Sequence, residues 1–301
     1  MNIIIRWYNQ NRKIIWLVIA IIIGIVGLIH TLNSFYKDNT KEESSSTNSA
    51  TTYNNPNYSV ITDKEISETK SQESIDLIKK FFNYCNNGNI QEAYNLLSQD
   101  CKEELYPSVD IFKNQYYNRI FTESKMYNSV LWISSKDRNT YRLEIIGDIL
   151  ATGQKESMPI VDYYTVISEN EKTRLNISSY IGKENINISK TQDDVTITLL
   201  NKKTYMDYEK YEIKVKNETQ GRITLNSKQN TDSMYIQDEN DLKYIAFRNE
   251  ISEYDLSIPR GFNRTYNIKF NSGYNPSKGI EKIIFDNMIV NSESTKFEIE
   301  L

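Results

Sequence analysis

The sequence predicts a single N-terminal transmembrane helix, then an α+β domain, then an all-β sandwich of antiparallel strands. Three observations predict this order: an uncharged aliphatic run near the N-terminus, a change of apolar period from about 3.6 to 2 in the middle of the chain, and continuous alternation after it. The expected divisions are a cytoplasmic tail at 1–13, a transmembrane helix at 14–33, a disordered linker at 34–72, an α+β domain at 73–182 and a β-sandwich at 190–301.

Composition excludes several classes of protein. The chain has 301 residues, a formal net charge of −4 and 39% hydrophobic residues. A mean hydropathy of −0.60 excludes a polytopic membrane protein, and the acidic balance argues against a nucleic-acid binder. The one histidine (His30) and two cysteines leave little material for a zinc site or a histidine-based triad. We therefore expect no nucleic-acid partner, no metal and no cofactor.

The apolar run near the N-terminus predicts the compartment. Residues 14–29 (IIWLVIAIIIGIVGLI) carry no charge, and about 20 helical residues span a bilayer core. Arg6, Arg12 and Lys13 precede the run, which keeps the N-terminus cytoplasmic and places the bulk of the chain outside the cell membrane. A cleaved signal peptide is the alternative, but no small-x-small cleavage site follows the run.

The next segment has the composition of a flexible tether. Serine, threonine and asparagine dominate residues 38–72, and no apolar periodicity is present. The abundance of Asn, Ile, Lys and Tyr over the whole chain favours an AT-rich genome, and hence a Gram-positive cell envelope.

The α+β domain is predicted from amphipathic helices followed by alternating strands. Ile75, Ile78, Phe82 and Cys85 form the apolar face of a first helix, which ends at Asn86-Asn87-Gly88. A second helix begins at Asn89 with Glu92 as its capping-box partner, and Ser108 begins a further one. Strands are expected at 130–133, 141–151, 160–167 and 174–177.

Two stretches of this domain resemble the nuclear-transport-factor-2-like domains. Residues 81–98 (FFNYCNNGNIQEAYNLLS) resemble their opening helical hairpin, and residues 163–167 and 172–177 resemble their last two strands. The resemblance implies a cone-shaped pocket between sheet and helices. Some members catalyse reactions there with His/Asp or Tyr/Asp groups, and many only bind.

The resemblance supplies candidate pocket residues. No histidine is present in the domain, so a Tyr/Asp arrangement is the remaining catalytic option. The side chains expected to line the cone are Tyr94, Tyr116, Trp132, Tyr141, Asp148, Asp162 and Tyr163. Asp148 and Asp162 alternate with apolar neighbours, so a solvated face of the sheet is the alternative position for both. We expect no catalytic residues and no enzymatic activity.

The two cysteines, Cys85 and Cys101, allow two interpretations. A disulfide is chemically possible outside the membrane, and 15 residues separate the two positions. A helical hairpin that turns near Asn87 would leave the cysteines several turns apart, which favours two separate apolar side chains.

The C-terminal part predicts an immunoglobulin-like sandwich. About seven short alternating strands follow a polar connector at 183–190, and polar turns separate them. Residues 258–270 (IPRGFNRTYNIKF) and 283–288 (IIFDNM) resemble immunoglobulin-like modules of bacterial surface proteins. The acidic stretch 237–241 (QDEND) allows calcium binding in principle, but it lacks EF-hand spacing, which favours a solvated loop.

Together these features predict a membrane-anchored extracytoplasmic binding or scaffold protein of the bacterial envelope, with another envelope protein as its partner. The first alternative is a small-ligand binder or a Tyr/Asp-type enzyme that uses the cone. The second, by analogy of architecture, is a scaffold subunit of a conjugative secretion apparatus.

Overall fold

The computed structural model describes residues 57–135, 137–148, 158–226, 231–247 and 250–301, and β-strands outweigh helices among them. The predicted tail at 1–13 and transmembrane helix at 14–33, with Arg6, Arg12 and Lys13, lie outside these residues. Of the helices that are described, none is long and apolar enough to cross a membrane.

The helices of the described residues occupy mainly the first half of the chain. They are α1 (Glu68–Asn86), α2 (Ile90–Asn95), α3 (Gln99–Leu105), α4 (Val109–Phe112), α5 (Asn118–Ile120) and α6 (Glu253–Leu256), with a π-helical turn at Lys113–Tyr117 and a 3₁₀ turn at Thr231–Ser233. The strands are β1 (Lys125–Ser134), β2 (Arg138–Gly147), β3 (Ile160–Glu169), β4 (Lys172–Asn176), β5 (Tyr180–Gln192), β6 (Val195–Tyr205), β7 (Glu209–Asn217), β8 (Ile223–Thr224), β9 (Met234–Asp238), β10 (Lys243–Ile245), β11 (Ser257–Ile258), β12 (Asn263–Phe270), β13 (Ile280–Val290) and β14 (Glu293–Glu300).

Helix α1 forms where the apolar period is strongest. The Ser67 side chain caps it by accepting a hydrogen bond from the Lys70 backbone N–H at 3.4 Å. Its buried face includes Ile78, Phe81 and Cys85. Gly88 follows with φ of +71°, the left-handed conformation that ends a helix with little strain in glycine.

The short helices after α1 depend on serine caps. Ser98 accepts from the Cys101 backbone N–H at 3.0 Å, and Ser108 accepts from that of Ile111 at 3.3 Å. The capping box predicted at Asn89 is absent, because the Asn89 side chain makes no cap hydrogen bond.

Three antiparallel sheets organise the strands of the described residues. The first has the order β1-β2-β3-β4 and packs against the helices. The second has the order β12-β7-β6-β5. The third has the order β10-β9-β13-β8-β11, with β14 paired to β13. The second and third sheets contribute alternate side chains to one shared hydrophobic core, for example Ile213 of β7 and Phe285 of β13.

The segment before α1 is more ordered than the sequence predicts. Residues 57–72 belong to the predicted linker, yet Val60 and Ile61 donate backbone hydrogen bonds to the carbonyls of Leu131 and Trp132 in β1. This segment therefore covers part of the free edge of β1, a role that its polar composition does not reveal.

Strand β5 occupies a stretch that the sequence does not predict to be a strand. The stretch expected to be a polar connector, 183–190, is the middle of this strand, which pairs with β6 along almost its whole length. Tyr180, at the start of β5, is buried in the core beside the helices. Ile186 and Ile188, farther along, pack against the core of the other two sheets. One strand thus enters both cores.

The predicted fold class is therefore wrong. The described chain is mostly β, and no helix suited to a membrane is found in it. The described residues from 57 onward belong to one compact unit, in which the β5–β6 hairpin joins a helix-and-sheet lobe (57–182) to a β lobe (183–301). The structure does not support the nuclear-transport-factor-2-like or the immunoglobulin-like resemblance.

A largely buried ionic cluster also joins the two lobes. Glu104 of α3 accepts a hydrogen bond from the Tyr205 hydroxyl at 2.8 Å and lies 2.6 Å from the Lys203 ammonium. Lys210 of β7 pairs with the other side of the same carboxylate. Burial opposes ionisation of Glu104, but these hydrogen bonds outweigh it and lower the pKa of the carboxyl. Lys203 of β6 and Lys210 of β7 thus neutralise the Glu104 carboxylate of α3.

Candidate functional site

The space between the first sheet and the helices is filled by aromatic rings. The Phe81 ring centroid lies 5.7 Å from that of Tyr164, 6.2 Å from Tyr116 and 6.3 Å from Phe112. All four side chains are buried. Rings packed in this way belong to the hydrophobic core and fill the space between them.

Tyr116 is one of the predicted pocket residues, and its role here is structural. Its hydroxyl bonds to that of Tyr164. Burial raises the pKa of both phenols well above the usual value, so each stays protonated at neutral pH. Each hydroxyl therefore has a hydrogen-bond partner inside an apolar core.

Asp162 is also turned inward, at the end of β3 nearest β5. Its carboxylate accepts from the backbone N–H of Tyr163 at 2.7 Å and that of Ser178 at 3.3 Å, and from the Ser179 hydroxyl at 3.3 Å. Burial raises the pKa of Asp162 to about 6, although these hydrogen bonds oppose the rise. Ser178 and Ser179 both have positive φ, of 57° and 59°, so Asp162 stabilises a strained turn between β4 and β5.

The remaining candidates, Tyr94, Tyr141 and Asp148, have separate surroundings. The Tyr94 hydroxyl donates to the backbone carbonyl of Tyr106 at 2.9 Å. Tyr141 of β2 is buried in the core that α1 also enters, and burial raises the pKa of its phenol. Asp148 follows β2, and its backbone N–H donates to the Ser124 carbonyl at 2.8 Å.

Both cysteines are free thiols in the structure. Cys85 of α1 and Cys101 of α3 are buried. Burial raises the pKa of the Cys101 thiol to about 12 and that of Cys85 further still. Such thiols pack as small apolar groups.

Two of the predicted residues, Trp132 and Tyr163, meet on the opposite, outer face of the same sheet. Their ring centroids lie 6.2 Å apart. The Arg142 guanidinium lies 5.9 Å from the Trp132 ring and 2.6 Å from a carboxylate oxygen of Glu144. Arg142 is opposite Tyr163 in the β2–β3 register, so the four side chains share one face.

Apolar side chains surround this group and reach solvent. The exposed fractions are 48% for Met126, 37% for Val130 and 46% for Val161. The register places all three on the outer face, since Met126 is opposite Ile146, Val130 is opposite Arg142 and Val161 is opposite Glu144. We define the outer-face patch as Met126, Val130, Trp132, Arg142, Glu144, Ile146, Val161 and Tyr163.

Two adjoining clefts lie at the end of the sheet, beside the start of α1. Their volumes are about 340 and 400 Å³. Both clefts are lined by Ile66, Lys70 and Ser135. The cleft of about 340 Å³ is also lined by the charged residues Glu73 and Arg138. Sequence reasoning missed these clefts because it assigned residues up to 72 to a linker. The serine cap at Ser67 was the available signal.

The acidic stretch 237–241 is part of a turn. The Asp238 carboxylate accepts from the backbone N–H groups of Asn240 at 2.9 Å and Leu242 at 3.0 Å, and from the Tyr244 hydroxyl at 2.9 Å. Across the described ranges of the chain, no cluster of three or more His, Cys, Asp or Glu residues is arranged to hold a metal.

The geometry thus offers a partly exposed surface, the outer-face patch, which contains the half-buried predicted residues Trp132 and Tyr163, and a pair of clefts that sequence reasoning missed. A comparison with models of known protein families finds no match to this chain, and a comparison with curated proteins finds none either.

Proposed function

We propose that this chain is an extracytoplasmic binding or scaffold protein of a bacterial cell envelope, and that it acts through protein–protein contacts at the outer-face patch. The location is proposed from the uncharged run at 14–29 and the cations before it. The mode of action is proposed from the patch, because the interior of the same sheet is already filled.

The observation that carries the proposal is the character of a solvent-facing sheet surface. An antiparallel sheet with one covered face usually presents polar side chains on the other. Here Met126, Val130 and Val161 are between 37% and 48% exposed, around a half-buried tryptophan. Removing such apolar surface from water contributes roughly 25 cal/mol per Å², so a covering partner gains affinity from it.

The pair Arg142 and Glu144 adds a polar element to the same surface. Their ion pair is 28% and 41% exposed, so a partner that covers the patch must also match both charges. Apolar contact supplies affinity, and the two charges select among partners.

A photo-crosslinking amino acid at Val130 in the full chain, expressed in the source cells, tests the contact. We expect one discrete crosslinked product, which Val161→Asp removes. The matched control carries the same amino acid at Lys79, an exposed position on α1. Identical products from both positions, or a Val130 product that survives Val161→Asp, would refute a specific contact at the patch.

The location is tested separately. A membrane-impermeant maleimide should label Ser46→Cys on intact cells, because the proposed topology places residue 46 outside the membrane. Cys85 and Cys101 are buried and compete poorly for the reagent. Labelling that appears only after the cells are opened would refute an extracytoplasmic position.

A second candidate is binding of a small polar ligand in the two clefts, favoured by their adjoining volumes of about 340 and 400 Å³. Native mass spectrometry of the purified chain should then show a bound small molecule. Ser135→Trp, which fills the space that the clefts share, should release it.

A further inference from the structure

Two loops meet at one end of the β lobe. In the β8–β11 register, Ile258 is opposite Ile223, so the residues that follow β11 lie beside those that precede β8. The loop tip is defined here as Arg222 together with Pro259, Arg260, Gly261 and Phe262. It is a feature separate from the outer-face patch, which belongs to the other lobe.

A buried asparagine fixes the shape of the loop tip. The Asn217 side-chain amide donates to the backbone carbonyls of Gly221 and Ile258, each at 2.9 Å. The Asn217 backbone N–H donates to the Phe262 carbonyl at 2.9 Å, and its carbonyl accepts from Gly261 at 2.8 Å. The apex is therefore held by hydrogen bonds on both sides.

This held apex presents an apolar side chain to solvent. Phe262 is 63% exposed. Gly261 before it has φ of +77°, and a Cβ at Gly261 would meet no atom within 4 Å, so the turn projects away from the fold. An exposed phenylalanine ring gains hydrophobic stabilisation only when another surface removes it from water.

Cationic side chains flank the phenylalanine. Arg222 and Arg260 are exposed. Arg222 donates to the Ser257 hydroxyl at 3.3 Å, and among the described residues neither guanidinium forms an ion pair with a carboxylate. Nearby, the Arg264 guanidinium lies 4.9 Å from the ring of Tyr254, a second aromatic residue, which is 74% exposed.

We propose that the loop tip binds the surface of an anionic lipid bilayer. Phe262 enters the boundary between headgroups and acyl chains, and the guanidinium groups of Arg222 and Arg260 contact lipid phosphates. The combination favours a membrane over a soluble anionic polymer, because a polymer would gain little from an exposed phenylalanine ring. This contact goes beyond the proposed protein–protein contact and does not require it.

The test uses the full chain in lipid vesicles, with a polarity-sensitive dye on Asn263→Cys, an exposed position next to Phe262. The native cysteines are buried, so the dye attaches to the introduced one. We expect a blue shift of dye emission in vesicles of phosphatidylglycerol mixed with phosphatidylcholine, and none in phosphatidylcholine alone. Phe262→Ser should reduce the inserted fraction roughly tenfold. Arg222→Gln and Arg260→Gln should each reduce it roughly fivefold.

The control places the dye on Asn240→Cys, in the β9–β10 turn, where Leu242 is 57% exposed but no arginine is adjacent. That dye should not shift. Because the Phe262 side chain is exposed, Phe262→Ser should leave the unfolding temperature unchanged, which separates lost binding from lost folding. No shift on anionic vesicles, a shift that survives Phe262→Ser, or an equal shift with soluble polyphosphate would each overturn the proposal.

Discussion

Replacing Asp162 by asparagine should change how stability depends on pH. Burial raises the pKa of this carboxyl from 3.8 to about 6, so between these values the native state holds a proton that the unfolded chain releases. The stability that Asp162 contributes is therefore complete below about pH 3.8 and lost as the pH rises through about 6. The difference between the two pKa values corresponds to about 3 kcal/mol, of which about 2 kcal/mol falls between pH 4 and 7.

Urea unfolding of the wild type and Asp162→Asn at several pH values measures this effect. The free energy of unfolding of the wild type, minus that of the variant, should fall by about 2 kcal/mol from pH 4 to 7, because asparagine does not titrate. Asp193→Asn, at an exposed position in the β5–β6 turn, controls for the change in net charge. A difference that is constant over this range, or that rises with pH, would refute a buried Asp162 with a raised pKa.

Three further predictions follow from buried groups. Glu104→Gln should lower the free energy of unfolding by roughly 3 kcal/mol in the same urea titration, because two lysines lose their carboxylate partner. Glu103→Gln, at an exposed position, should change that free energy by less than about 0.5 kcal/mol. Asn217→Ala removes three side-chain hydrogen bonds and should cost roughly 2–4 kcal/mol, measured in the same way. Cys85 and Cys101 should resist maleimide at pH 7 and react only in denaturant; rapid labelling of the folded chain would contradict their burial.

Periodicity predicted the elements that have one strongly apolar face. The first helix shows its apolar period clearly, and α1 buries Ile78 and Phe82 as the pattern requires. In β6, Val195, Ile197 and Leu199 alternate with more exposed residues in the expected way. Such segments carry enough apolar surface for local sequence to reveal their environment.

Edge strands were harder to predict. The middle of β5 is mostly polar, and it is a strand because β6 provides a ladder of backbone hydrogen bonds along one side. That support comes from residues farther along the chain, and within 183–190 the only apolar side chains are Ile186 and Ile188, which pack against the core. The contact between residues 60–61 and β1 was missed for the same reason, because it consists of backbone hydrogen bonds to a distant strand.

The candidate site was partly predictable by residue type but not by face. The alternation in β3 shows that Asp162 and Tyr163 point to opposite sides, yet it does not say which side the helices cover. The β2–β3 register settles this, because Asp162 is opposite the buried Leu143 and Tyr163 is opposite the half-exposed Arg142. The expected cone residues were therefore divided between a packed interior and a solvent-facing surface.

The passage of β5 through both cores has a mechanical consequence. A chain cut at residue 190 would sever this strand near its end, separate most of β5 from its partner β6 and expose apolar side chains of two interiors. Heat or pulling force should accordingly unfold both lobes in one step. A ligand that binds either lobe would then stabilise both lobes against unfolding.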